Sequence, residues 1–298
     1  MYEEIRKNKQ KSITVVALFA LVIILVASVA GYAYVGDPLI GGIIGGIIGL
    51  LYTFFSVTLA SKSVLRLANA KQITESNTDN VKETQVVNIT KQLAMMANIP
   101  EPDVYIIEDN LPNAFATGFK PENAAVGVTT GLVERLNRAE IEAVIAHEIA
   151  HIQNYDTRLK TIIFSMGGLL VLMGRLMMRT RTRSSSSNNK NNGSAALLAM
   201  LVGIVVYLFG EIFSKLVQLW VSRKREYLAD ATAVELTRNP QALISALAKI
   251  SNMEPSEVAD SSMASMYFMN PLKNNDDKDS MWSTHPTTKN RIKELQKL

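Results

Sequence analysis

Three histidines occur in the 298-residue chain, and two of them bracket a glutamate in the run Ala146-His147-Glu148-Ile149-Ala150-His151. Residues four apart on an α-helix stand one turn apart on the same face, so both imidazoles can reach a single metal ion. The chemistry that needs this spacing is metal-assisted hydrolysis. Zn²⁺ in a hydrolase takes three protein ligands and keeps a fourth position for water, whose pKa it lowers to about 7. Glu148 is not needed for holding the metal and is placed to take the proton. The competing reading, two histidines that solvate or cap a helix, loses on context. Asn137-Arg138-Ala139-Glu140 is a capping-box start for a helix carrying Ile141, Val144, Ile145 and Ile149, so the motif lies inside an amphipathic helix.

A catalytic zinc needs a third ligand, and His285 is not obviously placed to supply it. The run Arg223-Lys224-Arg225-Glu226-Tyr227-Leu228-Ala229-Asp230 puts two acids four residues apart at the start of a helix. Glu226 is the best candidate ligand, and Asp230 a carboxylate that could accept a hydrogen bond from a ligating imidazole. By spacing alone the same pair reads equally well as solvated salt-bridge formers.

These elements are interleaved with long apolar stretches. Ile13 to Tyr34 and Leu39 to Ala60 carry no charge and are each long enough to cross a hydrocarbon core. They read as a helical hairpin turning at Gly36-Asp37-Pro38, with Gly41, Gly45 and Gly49 at the small-xxx-small spacing that lets membrane helices approach closely. Its length and the second span argue against a cleaved signal peptide. Arg6, Lys7, Lys9 and Lys11 before the hairpin, and Lys62, Arg66 and Lys71 after it, put both ends in the cytoplasm by the positive-inside rule. A second pair, 161–178 and 195–217, is interrupted by Arg175, Glu211 and Lys215. Four spans are the favoured count. The polar, low-complexity linker 179–194 opposes it, because it would then lie outside with Arg179, Arg181, Arg183 and Lys190 and no acid. The alternative is a pair that dips into the membrane or packs on the soluble domain without crossing. The expected organisation is therefore a basic cytoplasmic N-terminus (1–12), a transmembrane hairpin (13–60), a first soluble part with the HExxH helix (61–160), the second hairpin, and a second soluble part with the third ligand (218–298).

In the soluble parts, Val81, Val86, Ile89, Leu93 and Met96 predict a helix over 80–97. The β-prone runs 104–107, 114–117 and 124–129 predict a small sheet near the metal helix, whose edge could bind extended substrate by strand addition. The absence of cysteine excludes a disulfide framework. A net charge of +4 without a basic, aromatic-interleaved module gives no reason to expect nucleic acid. Ionisable residues in the apolar stretches are too few and too near their ends to suggest a transporter's relay.

Taken with Asn113-Ala-Phe-Ala-Thr-Gly118, Thr129-Thr-Gly-Leu132, Glu134-Arg-Leu-Asn137, the extension of HExxH to Asn154 and Asp156, Arg225-Glu-Tyr-Leu-Ala-Asp230, and Ser283-Thr-His-Pro286 with Arg291, the chain resembles the HtpX family of membrane-bound zinc metalloproteases. That group is gluzincin-type and similar to the CAAX prenyl endopeptidases. The resemblance implies an α-helical membrane protein with an α+β zincin-like protease domain. It implies one Zn²⁺ per subunit on His147, His151 and Glu226, with Glu148 as general base and Asp230 orienting a ligand. Asn154 and His285 also fall on family motif positions. Asn154 could cap the metal helix or bind substrate backbone, and His285 could donate a hydrogen bond to the oxyanion of the tetrahedral intermediate. The implied role is stress-linked quality control of damaged or misassembled membrane proteins at the cytoplasmic face of a bacterial inner membrane, alongside an ATP-dependent membrane protease. The alternatives are a CAAX-type processing protease, disfavoured because those enzymes use more membrane helices than this sequence supplies, and a non-catalytic scaffold that has kept its metal site.

Overall fold

The structure, a computed structural model, describes residues 2–35, 37–78, 80–179, 200–210, 223–252, 267–269 and 286–298. The chain divides into two compact units. One comprises residues 1–8, 60–161 and 218–298, and the other residues 9–59 and 162–217.

The first unit is built round a buried helix. In chain order it contains β1 (Lys71–Ile73), α3 (Val81–Met96), β2 (Asp103–Ile107), β3 (Ala114–Thr117), β4 (Ala125–Thr129), the short α4 (Thr130–Arg135) and α5 (Arg138–Gln153). The start of α6 (Asp156–Arg179) follows, and then α8 (Arg223–Thr237), α9 (Pro240–Ser251) and α10 (Thr288–Leu295). The strands form one mixed sheet in the order β1-β2-β4-β3, with β2 and β4 parallel and the outer pairings antiparallel. β1 was not expected from the sequence, because three residues with two exposed side chains show no readable alternation.

Helix α5 carries the HExxH motif and packs against α3, β3, α8 and α9. Its start is the capping box read from the sequence. Asn137 Oδ1 accepts from Glu140 N (3.0 Å), while Glu140 Oε2 accepts from Asn137 N (2.8 Å). Glu140 also ties α5 to α9, accepting from Ser245 Oγ (2.6 Å) and Lys249 Nζ (2.8 Å). From Ile141 through Ile152 every α5 residue is buried except Glu142, so the motif's polar groups share a core with Val144, Ile145 and Ile149.

The outer edge of β3 is partly covered. Phe115 bridges Tyr267 in antiparallel fashion, Phe268 N donates to Ala114 O (2.7 Å), and Asn113 Nδ2 donates to Met269 O (2.8 Å). A strand adding to this edge has to displace Tyr267 to Met269 or pair beyond them. Gly118 (φ +145°) ends β3 where a Cβ would meet Ala124 Cα at 2.7 Å, so only glycine suits the turn.

The second unit contains most of α1 (Tyr2–Val35) and α2 (Pro38–Leu67), the later part of α6, and helical residues 200–210 (α7). α1 and α2 approach through glycines. Gly41, Gly45 and Gly49 are buried, and a Cβ on Gly49 would sit 2.7 Å from Ile23 Cγ2. α6 and α7 meet likewise, a Cβ on Gly174 falling 2.6 Å from Tyr207 N. Among the described residues, no helix is long and apolar enough to cross a membrane. The spans expected over 13–60 and in the second pair are therefore not established by the fold. The expected linker 179–194 lies, after Arg179, outside the described residues, as do 195–199 and 211–217 of the last apolar stretch.

The Glu140 junction is the most testable part of this framework. Burial raises its carboxyl pKa, but the bonds from Lys249, Ser245 and Asn137 outweigh that and hold it below the usual glutamate value. Its contribution is thus present above the unfolded-state pKa of about 4.3 and is lost as pH falls through the lower folded value. Glu140→Ala is expected to destabilise the protein by about 1–3 kcal/mol at neutral pH. Denaturation curves should show the gap to wild type narrowing below about pH 4.

Candidate metal centre

Each face of the two motif imidazoles has a distinct partner. His147 and His151 are buried and stand edge to face, with ring centroids 4.7 Å apart. Their Nδ1 atoms are held by carboxylates: His147 Nδ1 lies 2.9 Å from Asp230 Oδ1, and His151 Nδ1 lies 3.0 Å from Asp156 Oδ2. This leaves both Nε2 atoms toward Glu226, 3.7 Å from its Oε2 for His147 and 3.4 Å from its Oε1 for His151.

Two helix boundaries make this possible. α5 ends at Asn154, whose backbone N–H donates to Ala150 O, and Tyr155 then adopts a left-handed φ of 59°. The chain turns back sharply enough for Asp156, at the start of α6, to reach His151. α8 supplies Glu226 and Asp230 one turn apart, so a single helix gives the carboxylate on the Nε2 side and the one behind His147.

Each orienting carboxylate has its own arginine. Arg291, on α10, donates to Asp230 through Nε (2.9 Å) and Nη2 (2.6 Å), and its guanidinium lies 4.6 Å from the Phe268 ring centre. The Phe268 ring meets His147 edge to face at 4.9 Å. Arg225 Nη1 donates to Asp156 Oδ1 at 2.7 Å. Burial pushes the Asp230 pKa up, but Arg291 and the His147 hydrogen bond more than offset it, bringing it down to about 2. Burial and the charge of Lys160 push the His151 pKa down, yet Asp156 and Glu226 prevail and lift it to about 9.

The three candidate ligand atoms on His147, His151 and Glu226 lie within 4.8 Å of one another. His147 Nε2 is buried without a hydrogen-bond partner among the described residues, a cost of about 1–3 kcal/mol that a cation would relieve. Two imidazole nitrogens and a carboxylate suit a borderline divalent ion. The residues therefore fit a metal.

Of the residues expected from sequence, the structure brings together His147, His151, Glu226 and Asp230. Glu148 is buried between the two histidines on α5, and Asn154 serves as the C-cap of that helix. His285 lies outside the described residues. Sequence reading assigned no role to the contacts of Asp156, Arg225, Arg291, Phe268 and Lys160. Asp156 and Arg225 sit beside the motifs, but nothing in their spacing says which ring or carboxylate they meet.

An HExxH helix that presents two histidines, joined by a glutamate from a second helix, defines a zincin-type metallopeptidase. Residues 80–298 match peptidase family M48. The chain belongs to that family and is a metalloprotease. It is similar over its whole length to proteins named protease HtpX homolog: 39% identical to that of Ligilactobacillus salivarius, covering 99% of each chain, 37% to that of Streptococcus gordonii, covering all of both, and 40% to that of Streptococcus agalactiae, covering 99% of each. The crystal structure of S. mikatae Ste24p shares the fold, with a TM-score of 0.50 at 18% identity over 99% of this chain and 67% of that one.

Asp156→Asn is expected to weaken zinc binding by about 10- to 100-fold. Because the ligating imidazole must be neutral, a cation entering the wild-type site displaces the His151 proton. Wild-type affinity should therefore rise by about tenfold per pH unit up to about pH 9 and then level off. In the variant the levelling should move to lower pH, as read by chelator competition across a pH series.

Proposed function

We propose that the protein is a zinc endopeptidase, anchored in a membrane, that cleaves damaged or misassembled membrane proteins on the cytoplasmic side. The observation that carries the catalytic part is the convergence of His147, His151 and Glu226 beside a buried Glu148. Zinc held by those three would lower the pKa of water to about 7 and polarise a scissile carbonyl.

The chain's own groups do the rest. Glu148 takes the proton from the attacking water and returns it to the leaving amine. Asp230 and Asp156, steadied by Arg291 and Arg225, keep the two imidazoles turned with Nε2 inward. Asn154 ends α5 so that Asp156 can reach His151. His285 would donate a hydrogen bond to the developing oxyanion, a contact that strengthens as charge grows.

Membrane anchoring is supported by the outer faces of the glycine-packed hairpin, where Leu39, Ile43, Ile48 and Phe54 are each at least 60% exposed. Apolar surface of that extent is not left to water. The basic flanks of the hairpin support a site on the cytoplasmic side. The full-length likeness to proteins named protease HtpX homolog supports proteolysis; a quality-control role on unfolded membrane-protein segments, alongside an ATP-dependent membrane protease, completes the proposal.

Glu148→Gln is expected to keep zinc near one per chain while proteolysis of casein or an unfolded membrane protein falls by at least about 10²-fold. Full activity in a clean preparation would reject the general base. Full zinc with no activity even in the wild type would instead favour a scaffold.

Topology has its own test, because no native cysteine competes for label. Ser12→Cys, Ser76→Cys, Ser186→Cys and Ser283→Cys, probed in intact cells with an impermeant thiol reagent, should label only at position 186 if four segments cross. Labelling at 76 or 283 would overturn the cytoplasmic site.

A further inference from the structure

Lys160 is buried, one helical turn beyond Asp156 on α6, and its Nζ lies 4.0 Å from Glu226 Oε1. That oxygen is the one facing His151 Nε2 at 3.4 Å. A lysine is costly to bury and is rarely found inside without a purpose for its charge. Here the cation stands beside a carboxylate that also faces both candidate histidine ligands.

The surrounding charges make the placement informative. Asp230 is matched by Arg291 and Asp156 by Arg225, each through a short ionic hydrogen bond. Lys160 reaches instead toward the carboxylate that closes the metal centre. The same Glu226 oxygen lies 3.4 Å from His151 Nε2, so the ammonium stands close to where a dication would be held.

We propose that Lys160 tunes the metal centre through Glu226: its charge beside the ligand carboxylate weakens the site's hold on a divalent cation. This rests on the assignment of His147, His151 and Glu226 as ligands. A carboxylate shared with an ammonium donates less charge to the metal, so a bound ion is held less tightly and remains more electrophilic.

The role separates from a purely structural one by the sign of a binding change. Loss of a merely structural lysine would loosen the site, whereas loss of a repelling charge tightens it. The measurement is zinc affinity of the full-length detergent-solubilised protein by chelator competition, for wild type, Lys160→Met, Lys160→Gln, Lys160→Arg and Glu226→Ala. Thermal unfolding of each selects folded samples.

Lys160→Met and Lys160→Gln should bind zinc roughly tenfold more tightly, the size that repulsion between a single and a double charge a few ångströms apart has even in water. Lys160→Arg should stay near wild type. Peptidase assays should show lower kcat with little change in KM for the two neutral variants. Equal or weaker zinc binding in both neutral variants overturns the proposal. If that occurs while Glu226→Ala loses zinc, only the role of Lys160 falls. If Glu226→Ala binds zinc like wild type, the ligand assignment itself is wrong.

Discussion

A buried imidazole offers two nitrogens, and its orientation is set by whatever engages the one that does not face the ligand. In this protein Asp230 and Asp156 engage Nδ1 of His147 and His151, at 2.9 and 3.0 Å. Everything else at the site follows from that requirement. Two carboxylates cannot be buried there unless each is neutralised, so Arg291 and Arg225 come from further elements to meet them. The result ties α5, α6, α8 and α10 together at one point, and a break in either Asp–Arg pair would leave a charge stranded in the core.

The helix that carries the motif is unusual in having almost no wet side. An ordinary surface helix places its polar residues outward, but α5 buries His147, Glu148 and His151 with Ile145, Ile149 and Ile152. Such a helix must be fixed at both ends, or its polar groups would lose their partners. At the start, Glu140 serves at once as cap and as an anchor to α9. At the end, the Asn154 cap and the left-handed Tyr155 turn the chain so that the next residue completes the site.

The second unit uses a different physics. Its helices approach by removing side chains, with Gly49 against Ile23 and Gly174 against Tyr207, while large residues such as Leu39, Ile43 and Phe54 are exposed on the outer faces. The polypeptide visits this unit between the two histidines and the third ligand candidate. HExxH precedes the second apolar pair and Glu226 follows it, so the metal centre can form only after that pair has been traversed.

The sequence alone determined the reaction type and much of the local structure. The HExxH spacing, the Asn137–Glu140 capping box, the helix over 81–96 and three of the four strands are local patterns, set by neighbours a few residues apart. The Glu226–Asp230 pair was readable only as a candidate, because acids at that spacing on a helix are more often solvated. Tertiary structure decided that Glu226 faces both Nε2 atoms and Asp230 the opposite side of His147. It also decided that Asp156 serves His151, that Arg225 and Arg291 neutralise the two aspartates, that Tyr267 to Met269 cover part of the β3 edge, and that Lys160 is buried against Glu226. Those contacts join residues as far apart as His147 and Arg291, and their geometry depends on how whole helices cross. No pattern within one segment encodes such a crossing.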